Sequence, residues 1–150
     1  MRDNIETNYL IFVSSDGKKT GLDIFHERIE KNKWPIYNRT PQLLNVSQGK
    51  QVVFYIAGSG NKRQSFVANG RIKNVIENKT TVIDDNQEFK QVLFYVEFEN
   101  MKIFDQEINI KDHIDNLNFI KNKDKYGLYF QGGICKINKY SYDYIQSKVS

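Results

Sequence analysis

The chain has 150 residues, of which 22 are lysine or arginine and 18 are aspartate or glutamate, so its formal net charge is +4; its mean hydropathy is −0.61. This length suits a single domain over residues 1–150, and the polar composition, with no apolar run near the ~20 residues of a membrane span, argues against a membrane partner. The single cysteine allows no internal disulfide, which fits a reducing, cytoplasmic location.

The first part of the chain predicts a strand followed by a helix. The apolar run Tyr9–Val13 is typical of a buried strand. Apolar residues at helical spacing predict a helix from Gly21 to Asn32; they are Leu22, Phe25 and Ile29. Pro35 stops any continuation, so Trp34 is expected in a loop, and Pro41 is expected to open a short helical turn.

The rest of the chain predicts mainly strands. Apolar or alternating runs give four of them, over Gln51–Ala57, Ser65–Ile72, Gln91–Phe98 and Tyr126–Phe130. Met101–Phe104 continues or pairs with the third. Short helices are expected over Ile110–Leu117 and around Ile145. A strand, a helix and then mostly strands predict the α+β class, as a small mixed β-barrel with flanking short helices.

No catalytic constellation can be assembled from the sequence. Gly58-Ser59-Gly60 lacks the context of a phosphate loop and predicts a hairpin turn. The histidines, His26 and His113, stand far apart, and Cys135 has no base near it in sequence, so it is read as a small apolar residue. Asp84-Asp85 is interpreted as a solvated turn. We therefore expect no enzyme, no metal and no cofactor.

The region around the only tryptophan is the strongest candidate for a binding site. A loop tryptophan at Trp34 offers a flat face for stacking on a base. The amide of Asn38 can donate to and accept from a base edge, and Arg39 suits a phosphate. The alternative is that Trp34 is a structural lid over the mouth of the barrel.

Two basic loops are candidates for contacts with phosphate. Lys62 and Arg63 follow a glycine-rich turn, and a second cluster comprises Lys121, Lys123 and Lys125. Such cations would supply salt-dependent attraction to a polyanion. The alternative is a solvated surface with no such partner.

Several blocks of the sequence resemble the EVE and YTH domains of the PUA-like superfamily. The blocks are Trp34 to Leu43, Gly49–Tyr55, Ser65–Ile72, Leu117–Lys123, Tyr126-Gly127, Gln131–Gly133 and Tyr142–Ile145. The C-terminal blocks are the most specific, since their order is similar to the closing segment of stand-alone EVE proteins. The resemblance extends from Tyr9 to Ile145. Tyr9 and Tyr126 stand where that family usually has tryptophan, and the stretch Asn74–Phe89 matches no part of it.

The resemblance implies a compact barrel with an aromatic pocket at one mouth that takes up a base, in several relatives a modified one. The candidate base-binding residues are Ser14, Trp34, Asn38, Arg39, Tyr55, Tyr126 and Gln131. The first hypothesis is thus a non-catalytic module that binds DNA or RNA. The alternatives are a pocket for a nucleotide or metabolite with an incidental basic surface, and a base-processing or nuclease activity without a visible motif.

Overall fold

Seven strands and two α-helices make up the described part of the computed structural model, residues 9–37, 40, 43–78, 83–84 and 90–149. The strands are β1 (Tyr9–Ser14), β2 (Trp34–Tyr37), β3 (Gln51–Ile56), β4 (Ser65–Glu77), β5 (Ile83–Asp84), β6 (Lys90–Asn109) and β7 (Ile134–Lys136). The helices are α1 (Gly21–Lys31) and α2 (Lys139–Ser147). Shorter 3₁₀ segments span Leu43–Asn45, Ile110–Asp112, Ile114–Asn116 and Lys123–Phe130. Within these residues no helix is both long and apolar enough to cross a membrane.

The strands form a mixed sheet that curls into an open half-barrel. Its order is β2-β6-β4-β3-β1-β7, with β5 paired beside β6. β1 runs parallel to β3, and the other pairs are antiparallel. The predicted small mixed barrel with short helices is confirmed in this open form, in which β2 and β7 are the two edges.

One end of the half-barrel gathers three connections. Ser14 pairs with Ile56, and Ile56 with Ser65, so the loop after β1 lies beside the β3–β4 hairpin. Phe12 pairs with Ile134, which brings the loop before β7 to the same place. We call this the loop end.

The sheet is buried on both faces because its central strands are apolar at successive positions. One face carries a largely aromatic cluster beneath α1, whose ring-bearing members are Phe12, Phe25, Trp34, Phe54 and Phe98. The opposite face packs against α2 and the segment Lys123–Phe130, with Tyr55, Phe66 and Phe130 at its centre. The apolar run after Gln51 in β3 accounts for this burial on both faces, because every residue from Val52 to Ile56 is buried.

Local capping sets the limits of α1. Thr20 Oγ1 accepts a hydrogen bond from the backbone N–H of Asp23 (3.3 Å). At the other end Asn32 adopts the left-handed conformation and closes the helix. A Cβ on Gly21 would lie 2.7 Å from the Ser14 carbonyl oxygen, so only glycine fits this close approach to the sheet. The helix predicted over Gly21–Asn32 is confirmed to within one residue.

Three sequence-based assignments need correction. Trp34 begins strand β2 and does not lie in a loop, because the left-handed Asn32 turns the chain straight into the sheet. Tyr126–Phe130 is part of a 3₁₀ segment rather than a strand, and β7 is the last strand. Ile110–Leu117 forms two 3₁₀ turns in place of one helix. The turn expected at Pro41 begins outside the described residues.

Candidate nucleic-acid interface

A narrow cleft opens at the loop end, between the edge strand β2 and the loop that precedes β7. Its volume is about 60 Å³. Its walls comprise Val13, Ser15, Arg28, Trp34, Pro35, Ile36, Tyr37, Thr40, Gln131, Gly132, Gly133 and Ile134. The cleft lies between the two edges of the half-barrel, which no backbone pairing closes among the described strands. Two of the predicted base-binding residues, Trp34 and Gln131, meet here.

A buried arginine organises one wall of the cleft. Arg28 is only 7 % exposed, and its guanidinium lies 4.8 Å from the centre of the Trp34 ring, a cation–π contact. Arg28 Nη2 also donates a hydrogen bond to the Tyr37 hydroxyl (2.7 Å). The Arg28 guanidinium thus links the Trp34 ring and the Tyr37 phenol in one wall of the cleft.

Trp34 contributes to this wall from within the core. Its side chain is 2 % exposed, and its ring packs on Phe54 (5.2 Å) and Phe12 (5.7 Å) between ring centres. A base cannot stack on a face that is already covered by other rings. This burial agrees with the alternative prediction, in which Trp34 has a structural role. Trp34 lies in the wall of the cleft rather than over the mouth of the barrel.

Ser14 and Tyr55 do not reach the cleft. The Ser14 hydroxyl is fully buried and donates to the Gly21 carbonyl oxygen (2.6 Å). Tyr55 lies on the opposite face of the sheet, stacked on Phe130 with ring centres 4.0 Å apart. Burial raises the pKa of Tyr55. Both side chains hold the fold together, and their predicted role in base binding is not supported by their positions.

Tyr126 and Gln131 lie on one segment but serve different surfaces. Gln131 is exposed at the mouth of the cleft. Tyr126 is half-buried, and its hydroxyl donates to Gln64 Oε1 (3.1 Å). Tyr126 is therefore not one of the residues that line the cleft, and its expected contact with a base is not supported by its position.

That same hydrogen bond brings the two predicted basic loops together. Gln64 directly follows Lys62 and Arg63 in the β3–β4 hairpin, and Tyr126 directly follows Lys125. Arg63 and Lys125 are exposed, and Lys62 is partly so. The loops lie far apart in the sequence, and the fold joins them into one cationic surface at the loop end.

Lys123 differs from its neighbours. Its ammonium group is half-buried and donates to the carbonyl oxygens of Ile114 (3.0 Å) and Leu117 (3.1 Å). It is thereby a second donor to carbonyl groups that also accept from the backbone N–H groups of Leu117 and Ile120. Its predicted contact with phosphate is not supported by this position. Lys121 remains exposed, while its backbone N–H donates to the Tyr129 hydroxyl (2.8 Å).

A carboxylate anchors the hairpin to the start of α1. Asp16 accepts hydrogen bonds from the Ser59 hydroxyl (2.6 Å), the Ser59 N–H (2.9 Å) and the Gly21 N–H (3.0 Å). The Ser59 hydroxyl is the main cause that lowers the pKa of Asp16. Asp16 thus fixes the position of one basic loop relative to the cleft.

Two predicted residues, Asn38 and Arg39, lie outside the described residues. Conversely, Arg28 and Tyr37 line the cleft but were not among the predicted site residues. Arg28 had a detectable signal, since it lies three residues after Phe25 and shares the inward face of α1.

Across the described ranges, no three His, Cys, Asp or Glu side chains group in a way that could hold a metal ion. Cys135 is buried, and burial raises the pKa of its thiol to about 12.

Neither known family models nor curated proteins give a match to this sequence. Solved structures do. The chain is similar to the ASCH protein of Zymomonas mobilis, with a TM-score of 0.58 at 12 % identity over 96 % of this chain and 97 % of that one. It is similar to human THYN1, solved in complex with DNA containing 5-methylcytosine, with a TM-score of 0.54 at 12 % identity over 93 % and 95 %.

A third likeness is to the N-terminal domain of McrB from Staphylothermus marinus, with a TM-score of 0.52 at 7 % identity over 94 % of each chain. The three relatives have PUA-like folds and align along nearly the whole chain. At such identities the likeness concerns the fold alone. The half-barrel described here is a PUA-like fold, in agreement with the resemblance to EVE and YTH domains found in the sequence.

Proposed function

We propose that this protein is a non-catalytic module that binds nucleic acid. Its cleft accepts one modified base, and the lysine and arginine side chains of the basic surface bind phosphates. The observation that carries the proposal is the wall of Arg28, Trp34 and Tyr37 beside a basic surface, in a fold that human THYN1 also has. THYN1 was solved with DNA containing 5-methylcytosine.

The chemistry of the cleft suits a methylated base. Pro35 and Ile36 offer apolar surface on which a methyl group is desolvated at little cost. Gln131 and the Tyr37 hydroxyl can bond to the polar edge of a base. The cleft is narrower than a base, so binding requires the rim to open, and the exposed Gln131 side chain is the group that can turn away most cheaply.

The basic surface accounts for affinity rather than selectivity. Lys62, Arg63 and Lys125 can neutralise phosphates, and this interaction weakens steeply with salt because counterions are released. Phosphate contacts position a nucleic acid, while contacts with the base edge identify it. Substitutions in the basic surface should therefore change the affinity for all sequences, whereas substitutions in the cleft should change the selectivity for the base.

The test measures binding of short oligonucleotides that are unmodified or carry 5-methylcytosine or N6-methyladenine, by fluorescence anisotropy at several salt concentrations. We expect salt-dependent binding and a preference for one modified base. Tyr37→Ala should lower affinity for that base by about 1–3 kcal/mol, the value of one base–aromatic stack. Tyr37→Phe keeps the ring and removes the hydroxyl, so it should retain the stacking part of the affinity and lose the contact with the edge of the base.

Tyr140→Ala is the matched control, since Tyr140 is 55 % exposed on α2 and lies outside the cleft. Failure of the wild-type protein to bind any oligonucleotide at low salt would refute the proposal. Salt-independent binding of free nucleotides would instead favour a small-molecule pocket. Multiple turnover of a labelled oligonucleotide by repurified protein, with or without divalent metal, would contradict the non-catalytic part.

A further inference from the structure

The far end of β4 is a part of the chain that the proposed function does not use. It belongs to the stretch Asn74–Phe89, which matches no part of the EVE pattern, and it continues β4 as far as Glu77. β3 pairs with β4 only up to Arg71, and the loop before β3 adds backbone bonds to Ile72. Beyond Ile72, one side of β4 therefore has no neighbouring strand among the described residues.

The hydrogen-bond pattern shows which backbone groups face this open side. In an antiparallel pair, alternate residues bond to the partner strand and the residues between them point away from it. The Asn78 N–H donates to the Leu93 carbonyl oxygen (2.8 Å), so Ile76, two residues earlier in the same register, also bonds to β6. The N–H and C=O groups of Val75 and Glu77 therefore point to the open side, where no described residue bonds to them.

Two apolar side chains lie along this open edge, which we define as Lys73–Glu77. Ile76 is 45 % exposed and shares one face of the sheet with Tyr95, its partner in β6. Val75 is half-buried on the other face, beside the aromatic cluster. An unpaired edge with apolar side chains is a template on which a further strand can be added.

The charges on the open edge indicate which strand is added. Lys73, in the bulge that begins the edge, and Glu77 are both exposed, and neither forms an ion pair with another described residue. A lysine on an edge normally discourages pairing. These two charges, however, have opposite signs and lie two residues before and two residues after Val75. Antiparallel pairing of two such edges about Val75 brings each lysine to the glutamate of the other copy.

We propose that two copies of this protein associate through the open edge, with β4 of each copy antiparallel to β4 of the other and Val75 on the two-fold axis. The outward backbone groups of Val75 and Glu77 then gain partners, the two valines pair, and two Lys73–Glu77 ion pairs form. Opposite charges and β-branched pairs across strands favour such pairing, and a two-fold interface is self-complementary in this way. Only a short strand segment of each copy takes part, so the dimer belongs to the weak, reversible class.

Sedimentation equilibrium of the wild type, from micromolar to millimolar concentration, measures this association. The average mass should rise from the 17.7 kDa of one chain towards twice that value. Glu77→Lys places like charges opposite each other and should weaken the association roughly ten- to thirtyfold. The double variant Lys73→Glu/Glu77→Lys exchanges the charges and should restore the association of the wild type.

Two further measurements separate the edge from other surfaces. Glu77→Pro removes an N–H group that has no partner within one chain, so it should block the dimer and leave the circular dichroism spectrum unchanged. Hydrogen exchange of the wild type should slow at the Val75 and Glu77 amides as the concentration rises. The Ile76 amide, which is already bonded to β6, should not change.

Glu30→Lys is the matched control, because Glu30 is exposed on α1 and the substitution changes the net charge by the same amount. It should dimerise like the wild type, and an equal weakening by this variant would overturn the inference. A wild type that stays monomeric at millimolar concentration would overturn it as well. So would a double variant that does not recover, or a dimer in which exchange at Val75 and Glu77 is unchanged. No residue of the open edge lines the cleft, so each of these failures leaves the proposed function standing.

Discussion

Trp34 shows how one aromatic residue can belong to the core and to a binding site. Its ring contacts Phe12 and Phe54 in the cluster beneath α1, and it also forms part of the wall of the cleft. The cation of Arg28 lies against that ring. A substitution of Trp34 is therefore expected to lower the free energy of unfolding, and any loss of binding would follow from that.

Replacing Trp34 by alanine should lower the free energy of unfolding by about 3–5 kcal/mol, as for other buried large aromatics. Urea denaturation followed by circular dichroism measures this, and Trp34→Phe, which keeps a ring, should lose less. The indole fluorescence of the wild type should be poorly quenched by acrylamide. A stable Trp34→Ala protein that no longer binds would point to a stacking role instead.

The two lysines Lys123 and Lys121 should respond differently to substitution. Lys123→Ala removes one of two donors from each of the Ile114 and Leu117 carbonyl oxygens, which keep the backbone N–H groups of Leu117 and Ile120. We expect a loss of about 1 kcal/mol of stability for a partly exposed charged hydrogen bond. Lys121→Ala should leave stability unchanged and weaken DNA binding. Equal effects of the two substitutions on stability would count against the structural role of Lys123.

At the scale of elements, the loop end is held by contacts between β1, α1 and the β3–β4 hairpin. Asp16 bonds to both Ser59 and Gly21, and Gly21 packs directly against the ends of β1 and β3. The cleft and the basic surface depend on this junction, because it positions the hairpin beside the first helix.

Gly21→Ala should destabilise the protein, although alanine normally favours a helix. Its Cβ would lie 2.7 Å from the Ser14 oxygen and 2.9 Å from the Ala57 oxygen, so the helix must shift away from the sheet. We expect a loss of about 1–3 kcal/mol, as in other overpacked sites, measured by thermal or urea unfolding. An increase in stability would show that α1 is free to move.

The carboxylate of Asp16 predicts a pH dependence. Its pKa is lower in the folded protein than the ordinary value of 3.8, so its contribution to stability is complete above the unfolded pKa and is lost as the pH falls through the folded one. The free energy of unfolding should fall between about pH 5 and pH 3, and less steeply in Asp16→Asn. Identical slopes for both proteins would remove Asp16 as a cause.

The sequence predicts elements well where local contacts decide them. Thr20 and Asn32 lie at the ends of α1 and cap it, so its limits are encoded within a few residues. The apolar run Tyr126–Phe130 is different. It matches a strand locally, yet its conformation depends on Gln64 and Tyr55, which are distant in the sequence. Local periodicity carries no information on such partners.

At the scale of the whole molecule, the candidate site depends on which distant segments meet. The resemblance to EVE domains identified the correct fold, and of the candidate residues that followed from it, Trp34 and Gln131 line the cleft. It could not show that Tyr55 faces the opposite side of the sheet, because β3 is apolar at every position after Gln51 and gives no alternation to read. Helical spacing places Arg28 on the inward face of α1, but its cation–π contact could not be predicted, since its partner Trp34 belongs to another element.

The joined basic surface makes a prediction about salt. Replacing Lys62, Arg63 and Lys125 together by glutamine should weaken binding to all sequences alike. It should also flatten the plot of log affinity against log salt concentration, by up to about one unit for each phosphate that the variant no longer neutralises. The matched control replaces three exposed strand lysines away from the loop end, namely Lys73, Lys102 and Lys136. A slope that changes only in the control would place the nucleic acid on another face.

The position of β1 between β3 and β7 also has a kinetic consequence. The strand that appears first in the chain pairs with the strand that appears last, through Leu10 with Lys136 and Phe12 with Ile134. Closing so long a loop costs chain entropy before any hydrogen bond compensates for it, and folds dominated by such distant pairs form slowly. A nascent chain on the ribosome therefore keeps one side of the apolar strand β1 unpaired until almost all of the domain has emerged, and during that interval it is most exposed to aggregation.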